Sequence, residues 1–163
     1  AWVNAWKQSY ESYNNSHLRS LSLSEDDSVL CAELWQEGYE YRLYRPDGSQ
    51  IWKRAGVDPV LSPQGKLLLW ESHFEGVVLT RLEDHQTVYA RKFEEKVRLK
   101  ALADDGSCLI LAGRPLCILG PDGQQRWEAW FKTDPSALGL GPAGQMAVIR
   151  DSHAGSLHLP WPC

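Results

Sequence analysis

The side chains best suited to bind a metal or to act as a catalytic base are the histidines and cysteines. The chain has five histidines and four cysteines, which are His17, His73, His85, His153, His158, Cys31, Cys108, Cys117 and Cys163. His153, His158 and Cys163 share one short segment and could bind zinc, but they form neither an H-x-x-x-H nor a C-x-x-C pair. The chain also has no G-x-S-x-G motif for a nucleophilic serine. We therefore predict no catalytic residue, no metal and no cofactor.

Two acidic turns and one glycine-rich loop are the other segments with ligand-binding chemistry. The turns SEDDS (24–28) and ADDGS (103–107) could offer oxygens to calcium, but neither has the spacing of a calcium-binding loop. Aspartates at such positions more often stabilise the turn itself. The loop GLGPAG (139–144) lacks the Lys-Ser/Thr ending of a phosphate-binding loop and precedes a strand-like run instead of a helix. Turn geometry explains all three segments.

The elements that position these residues recur along the chain. In four segments a strand-like run is followed by a turn and a second apolar run. The residues that align in these turns are Asp27, Gly65, Gly106 and Gly144, which are 38, 41 and 38 residues apart. A second series of turns aligns at Gly48, His85 and Gly123, which are 37 and 38 residues apart. Two turn series thus share one period, which is close to that of a four-stranded propeller blade.

Between the turns the sequence has short runs rich in Leu, aromatic and β-branched residues, such as KLLLW, GVVLTRL, CLILAG and MAVIR. Such runs are typical of strands. The Asp-Gly turns are suited to join them, because Asp accepts a backbone hydrogen bond and Gly adopts a positive φ. We therefore predict an all-β fold, a β-propeller-like array of about four four-stranded blades in a single domain, 1–163. The repeat units span about 17–56, 57–95, 96–133 and 134–163.

An aromatic residue follows each turn of the second series at the same distance. The pairs are Gly48 and Trp52, His85 and Tyr89, and Gly123 and Trp127. This spacing resembles the Gly-x-x-x-Trp blade ending of quinoprotein-type β-propellers. The Asp-Gly turns are similar to those of WD-repeat-like propellers, although the Gly-His and Trp-Asp dipeptides are absent. The resemblance implies that the three aromatic residues dock between adjacent blades, but it implies no quinone cofactor, because the residues that bind quinones cannot be placed on this chain.

The two ends of the chain could complete one blade together. The fourth unit supplies runs for three strands, and the opening AWVNAWKQSY resembles the outer strands SQIWKR and QRWEAWF. Residues 1–10 could therefore close the ring as the last outer strand, with Trp6 as its docking residue. A helix is the alternative for this segment, since its aromatic residues also fit a helical stripe. The same count of blades fits half of a larger propeller that a second copy of the chain completes.

The positions of the eight tryptophans relative to the repeat indicate two roles, packing between blades and partner binding. Trp6, Trp52 and Trp127 occupy equivalent repeat positions, which favours packing between blades. Four others lie outside that register and are predicted to be exposed, partner-binding residues: Trp35, Trp70, Trp130 and Trp161. Prolines flank the last of these, so its segment is predicted to be an edge, a loop, a docking tail or a plug over the core.

Charge and cysteine content restrict the classes of partner. The net charge is -4 and the Lys and Arg residues are scattered, which disfavours nucleic acids and anionic membranes. No apolar run approaches the roughly 18–20 residues of a membrane helix. The cysteine spacing favours free buried thiols, and free thiols indicate a reducing compartment, so we expect a cytoplasmic protein.

Three functional hypotheses follow from these patterns. The preferred one is a noncatalytic protein–protein interaction scaffold of β-propeller type that binds a protein partner through blade loops. A homodimer that completes a larger propeller is a further arrangement. The alternatives are a lectin-like propeller that binds carbohydrate with exposed Trp or Tyr residues, and a hydrolase or lyase with a site in a central channel. For the fold, tyrosine-rich hairpin repeats also fit the turn spacing, but their tyrosine-aspartate signature is missing.

Overall fold

A computed structural model describes residues 17–35, 38–130, 135–140, 146–151 and 155–160, and every structural statement below concerns these residues. Each regular element within them is a β strand, so the predicted all-β class is confirmed. The fifteen strands form four sheets that follow one another along the chain. The strand predicted for residues 1–10 lies outside the described residues, and so do Trp6 and Trp161.

All four sheets are antiparallel meanders, in which each strand pairs with the next one along the chain. Sheet 1 contains β1 (His17–Leu23), β2 (Leu30–Trp35), β3 (Tyr39–Tyr44) and β4 (Gln50–Ala55). Sheet 2 contains β5 (Val57–Leu61), β6 (Leu67–Ser72), β7 (Gly76–Arg81) and β8 (Thr87–Arg91). Sheet 3 contains β9 (Val97–Leu102), β10 (Cys108–Ala112), β11 (Pro115–Leu119) and β12 (Gln125–Trp130). Sheet 4 contains β13 (Pro135–Leu140), β14 (Met146–Asp151) and β15 (Gly155–Pro160).

The recurrent turns have the conformation that their sequences predict. The aligned residues have φ between 58° and 91° and are Asp27, Gly48, Gly65, His85, Gly106 and Gly123. In five of these turns the preceding Asp accepts a hydrogen bond of 2.8–3.1 Å from the backbone N–H two residues later; these are Asp26, Asp47, Asp84, Asp105 and Asp122. For Asp26 and Asp105 of the two acidic turns, the prediction that the side chain stabilises its own turn is therefore confirmed, whereas Asp104 accepts a hydrogen bond from Gln64 of another sheet.

The hydrophobic core lies between successive sheets. One cluster joins sheets 1 and 2 and includes Tyr41, Leu43, Leu68, Trp70 and Val78. A second joins sheets 2 and 3 and includes Leu69, Leu79, Tyr89, Ile110 and Cys117. A third contains the opposite face of sheet 3, with Leu138 and Leu140 of sheet 4 packed against it. Neighbouring residues of one strand thus enter different clusters, which explains why the central strands are continuous apolar runs.

Polar contacts also join the sheets. Glu33 on β2 is 3% exposed, and its carboxylate accepts hydrogen bonds from the Asp58 backbone N–H of β5 at 3.0 Å and from Ser20 at 3.1 Å. Glu71, 38 residues later, forms an ion pair with Lys100 of β9. A carboxylate on the second strand therefore contacts the next sheet at two equivalent positions.

The first three sheets lie side by side, with their equivalent turns at the same end. The backbone N–H of Glu25, between β1 and β2, donates to the Pro63 carbonyl between β5 and β6 at 2.7 Å. The Gln64 N–H donates in turn to Asp104, between β9 and β10, at 2.8 Å. We call the end that carries these turns the turn end. The opposite end, which carries the β2–β3, β6–β7 and β10–β11 hairpins and the links between sheets, is the link end.

Candidate functional site

Two of the repeat-equivalent aromatic residues lie between neighbouring sheets. The Trp52 ring of β4 stacks on the His85 ring in the β7–β8 turn, with centroids 4.8 Å apart and planes at 7°. Tyr89 of β8 packs on Gly123 in the β11–β12 turn so closely that a Cβ at Gly123 would lie 2.6 Å from the tyrosine ring. The outer strands of sheets 1 and 2 thus place their aromatic residues on the turn of the next sheet. Trp127 is partly buried and packs against the third cluster.

Tyr89 does not have the exposure that a sugar-stacking platform requires. It is 9% exposed, and its hydroxyl lies 3.1 Å from the Cys108 sulfur inside the core. One face of Trp52 is covered by the His85 ring. The expectation of open pockets at repeat-equivalent aromatic positions is therefore not met at Tyr89.

The prediction that Trp70 is an exposed partner-binding residue is wrong. Trp70 is 2% exposed and donates a hydrogen bond of 3.1 Å from its indole N–H to the Thr80 hydroxyl. Its ring packs against Tyr41 and comes so close to Gly56 that a Cβ there would lie 2.5 Å from the indole. The physical reason is its place on β6, a central strand that neighbouring sheets cover on both faces.

Trp35 and Trp130 are exposed, at 43% and 69% of their surface. Both lie at the link end, where β2 and β12 end. Sequence reasoning missed two further aromatic residues there, Phe74 in the β6–β7 hairpin and Tyr39 at the start of β3. Phe74 is 83% exposed. Its position between two predicted strands, in ESHFEG, is the signal that could have identified it.

A cleft opens at the link end between sheets 2 and 3. Its volume is about 690 Å³, and its lining includes Phe93, Glu94, Glu95, Cys117, Glu128 and Trp130. The link from β8 to β9 spans residues 92–96, whereas Gly56 alone joins β4 to β5. The β10–β11 hairpin has only two residues between its strands, compared with three in the β6–β7 hairpin. A long link beside a short hairpin leaves the space that forms this cleft.

A chain of hydrogen bonds crosses the cleft and orients the Trp130 indole. Arg91 of β8 donates to the Gln125 side-chain oxygen at 2.9 Å and to the Gly123 carbonyl at 3.1 Å. The Gln125 amide donates to one Glu128 oxygen at 2.8 Å, and the Trp130 indole N–H donates to the other at 2.9 Å. The two edges of the cleft are thus joined, and an exposed ring is held in one orientation.

The thiols of the described residues are poorly suited to nucleophilic chemistry. Cys31, Cys108 and Cys117 are free and buried, which confirms the predicted free thiols at these positions. Burial raises the pKa of both Cys31 and Cys108 to about 12. Burial, and then the nearby Glu128 carboxylate, raise the pKa of Cys117. All three are therefore neutral thiols at physiological pH, whereas nucleophilic cysteines are thiolates.

The three histidines whose side chains are described do not converge. His17, His73 and His85 are exposed and lie on β1, in the β6–β7 hairpin and in the β7–β8 turn. Across the described ranges, no group of three or more His, Cys, Asp or Glu side chains could hold a metal ion. In the same part of the chain, no helix has the length and apolar character to cross a bilayer.

No protein-family model matches the chain, and no curated protein matches it either.

Proposed function

We propose that this protein is a noncatalytic β-propeller scaffold that binds a protein partner at its link end. The four sheets would be its blades. Their meander topology, the packing of successive sheets and the Trp52 and Tyr89 contacts with the next turn support this arrangement. Residues 1–10 would complete the fourth blade and close the ring.

The observation that carries the functional proposal is the position of the exposed aromatic side chains. Four aromatic residues of the described chain are more than a third exposed and all lie at the link end: Trp35, Tyr39, Phe74 and Trp130. Exposed aromatic side chains are costly in water and are enriched among the residues that dominate protein–protein binding. Because they come from three sheets, a rigid array of blades would present them together to one partner.

Photo-crosslinking in the source cell tests this proposal. A photoreactive phenylalanine analogue at Phe74 or Tyr39 should form a covalent adduct with one protein, whereas the same analogue at Gln50, exposed at the turn end, should not. Binding of that purified protein, measured by calorimetry, should weaken by a factor of about 5 to 30 in Phe74→Ala. Equal adducts at both ends, or none at the link end, would overturn the proposal.

A further inference from the structure

We propose that the link-end cleft binds a lysine or arginine side chain of the protein partner and that this side chain lies on the Trp130 ring beside the Glu128 carboxylate. This inference rests on the proposed function and names the chemistry of the partner. A cation is attracted to the face of an indole ring, and an adjacent carboxylate adds an ion pair.

The site is already organised for such a ligand. The Trp130 ring is 69% exposed, yet Glu128 holds its N–H at 2.9 Å. Glu128 is itself held by the Gln125 amide at 2.8 Å, and Gln125 is held by Arg91. An orientation set before binding lowers the entropy that a ligand must offset.

The charge of the cleft favours a cation at the Trp130 end. Both hydrogen-bond donors to Glu128, an indole and an amide, are neutral, so neither compensates its negative charge. Arg91 is held away from that carboxylate by Gln125 and by the Gly123 carbonyl. The other cations of the lining, Lys92 and Arg114, are exposed side chains that can extend into water. The lining as a whole has three basic and three acidic side chains, so the preference for a cation is local: the charged group that is hydrogen-bonded to the ring is the Glu128 carboxylate.

Titration of the ¹⁵N-labelled full chain with short peptides tests this inference. The probes are acetylated, amidated pentaglycines whose central residue is replaced by Lys, Arg, norleucine or Glu. We expect the Trp130 indole N–H signal, assigned with Trp130→Phe, to shift saturably with the Lys and Arg peptides only. Equal shifts with norleucine or Glu, or no shift with any peptide up to its solubility, would overturn the inference.

Two variants separate the carboxylate from general charge effects. Glu128→Gln keeps one acceptor, for the indole, but removes the charge and the second acceptor that receives the Gln125 amide, so the Lys peptide should bind roughly fivefold more weakly. Glu75→Gln, in the β6–β7 hairpin at the same end but outside the cleft, should leave binding unchanged. An equal loss in both variants would overturn the role of Glu128. If the peptides fail while the crosslinks at Phe74 persist, only this inference fails; loss of the crosslinks refutes the proposed function itself.

Discussion

At the scale of single residues, a buried hydrogen bond of Trp70 stabilises the core between sheets 1 and 2. Its indole N–H and the Thr80 hydroxyl are both buried, and either group alone would lack this partner. We expect Trp70→Phe and Thr80→Val each to lower the free energy of unfolding by about 1–3 kcal/mol. The double variant should lose less than the sum, because the second substitution removes a group already unpaired. Urea unfolding measures this, with exposed Thr87→Val as control; fully additive losses would contradict the coupling.

Gly123 tests the packing of an outer-strand aromatic residue on the next turn. Its φ is 74°, and a Cβ would meet the Tyr89 ring at 2.6 Å. Gly123→Ala should therefore lower the free energy of unfolding by about 2–3 kcal/mol. Gly106→Ala is the matched control, since its φ is also positive, at 91°, but the nearest atom lies 3.3 Å from a Cβ there; it should lower the free energy of unfolding by only about 1 kcal/mol. Similar losses in the two variants would show that the Tyr89 contact is not the cause.

At the scale of elements, the Asp turns predict how stability depends on pH. Hydrogen bonds from Ser49 lower the pKa of Asp47, and the Gln86 backbone N–H lowers the pKa of Asp84. A pKa lowered on folding contributes stability above the unfolded value of 3.8, and this stability is lost as the pH falls through the folded pKa.

The urea concentration at the unfolding midpoint should therefore decrease as the pH is lowered below about 4. The decrease should be smaller in the double variant Asp47→Asn, Asp84→Asn. Asparagine still accepts the turn hydrogen bond but does not titrate. Glu75→Gln, whose carboxylate has no role in a turn, serves as control and should follow the wild type. An identical decline in the Asn variant and the wild type would show that other carboxylates dominate.

At the scale of the whole molecule, ring closure can be tested without a partner. The fourth sheet has three strands among the described residues, whereas each other sheet has four. If residues 1–10 pair with this sheet, their deletion should increase amide hydrogen exchange in β15 and leave β10 protected. Unchanged exchange in β15 would refute this pairing. Light scattering distinguishes a monomer of 18.5 kDa from a dimer of twice that mass, and only the dimer is compatible with a larger ring shared by two chains.

The repeat pattern predicted much of the described fold, because the conformation of a turn depends on a few residues that are adjacent in the sequence. Gly48 and His85 were aligned from spacing alone, and both have positive φ. The outer-strand aromatic positions also followed from spacing, since Trp52 and Tyr89 occupy equivalent places after those turns. The cleft could not be predicted, because its space depends on how the link 92–96 passes the β10–β11 hairpin of the adjacent sheet.

What the sequence determined by itself was the all-β class, the alternation of strands and turns and the conformation of the turns, since each depends on a few neighbouring residues. Which tryptophans are accessible was decided only by the tertiary structure. Trp70 and Trp130 both lie outside the repeat register, but β6 is covered on both faces, whereas Trp130 ends an outer strand beside a short hairpin. Burial depends on the neighbouring sheets, and no local pattern of residues encodes their position.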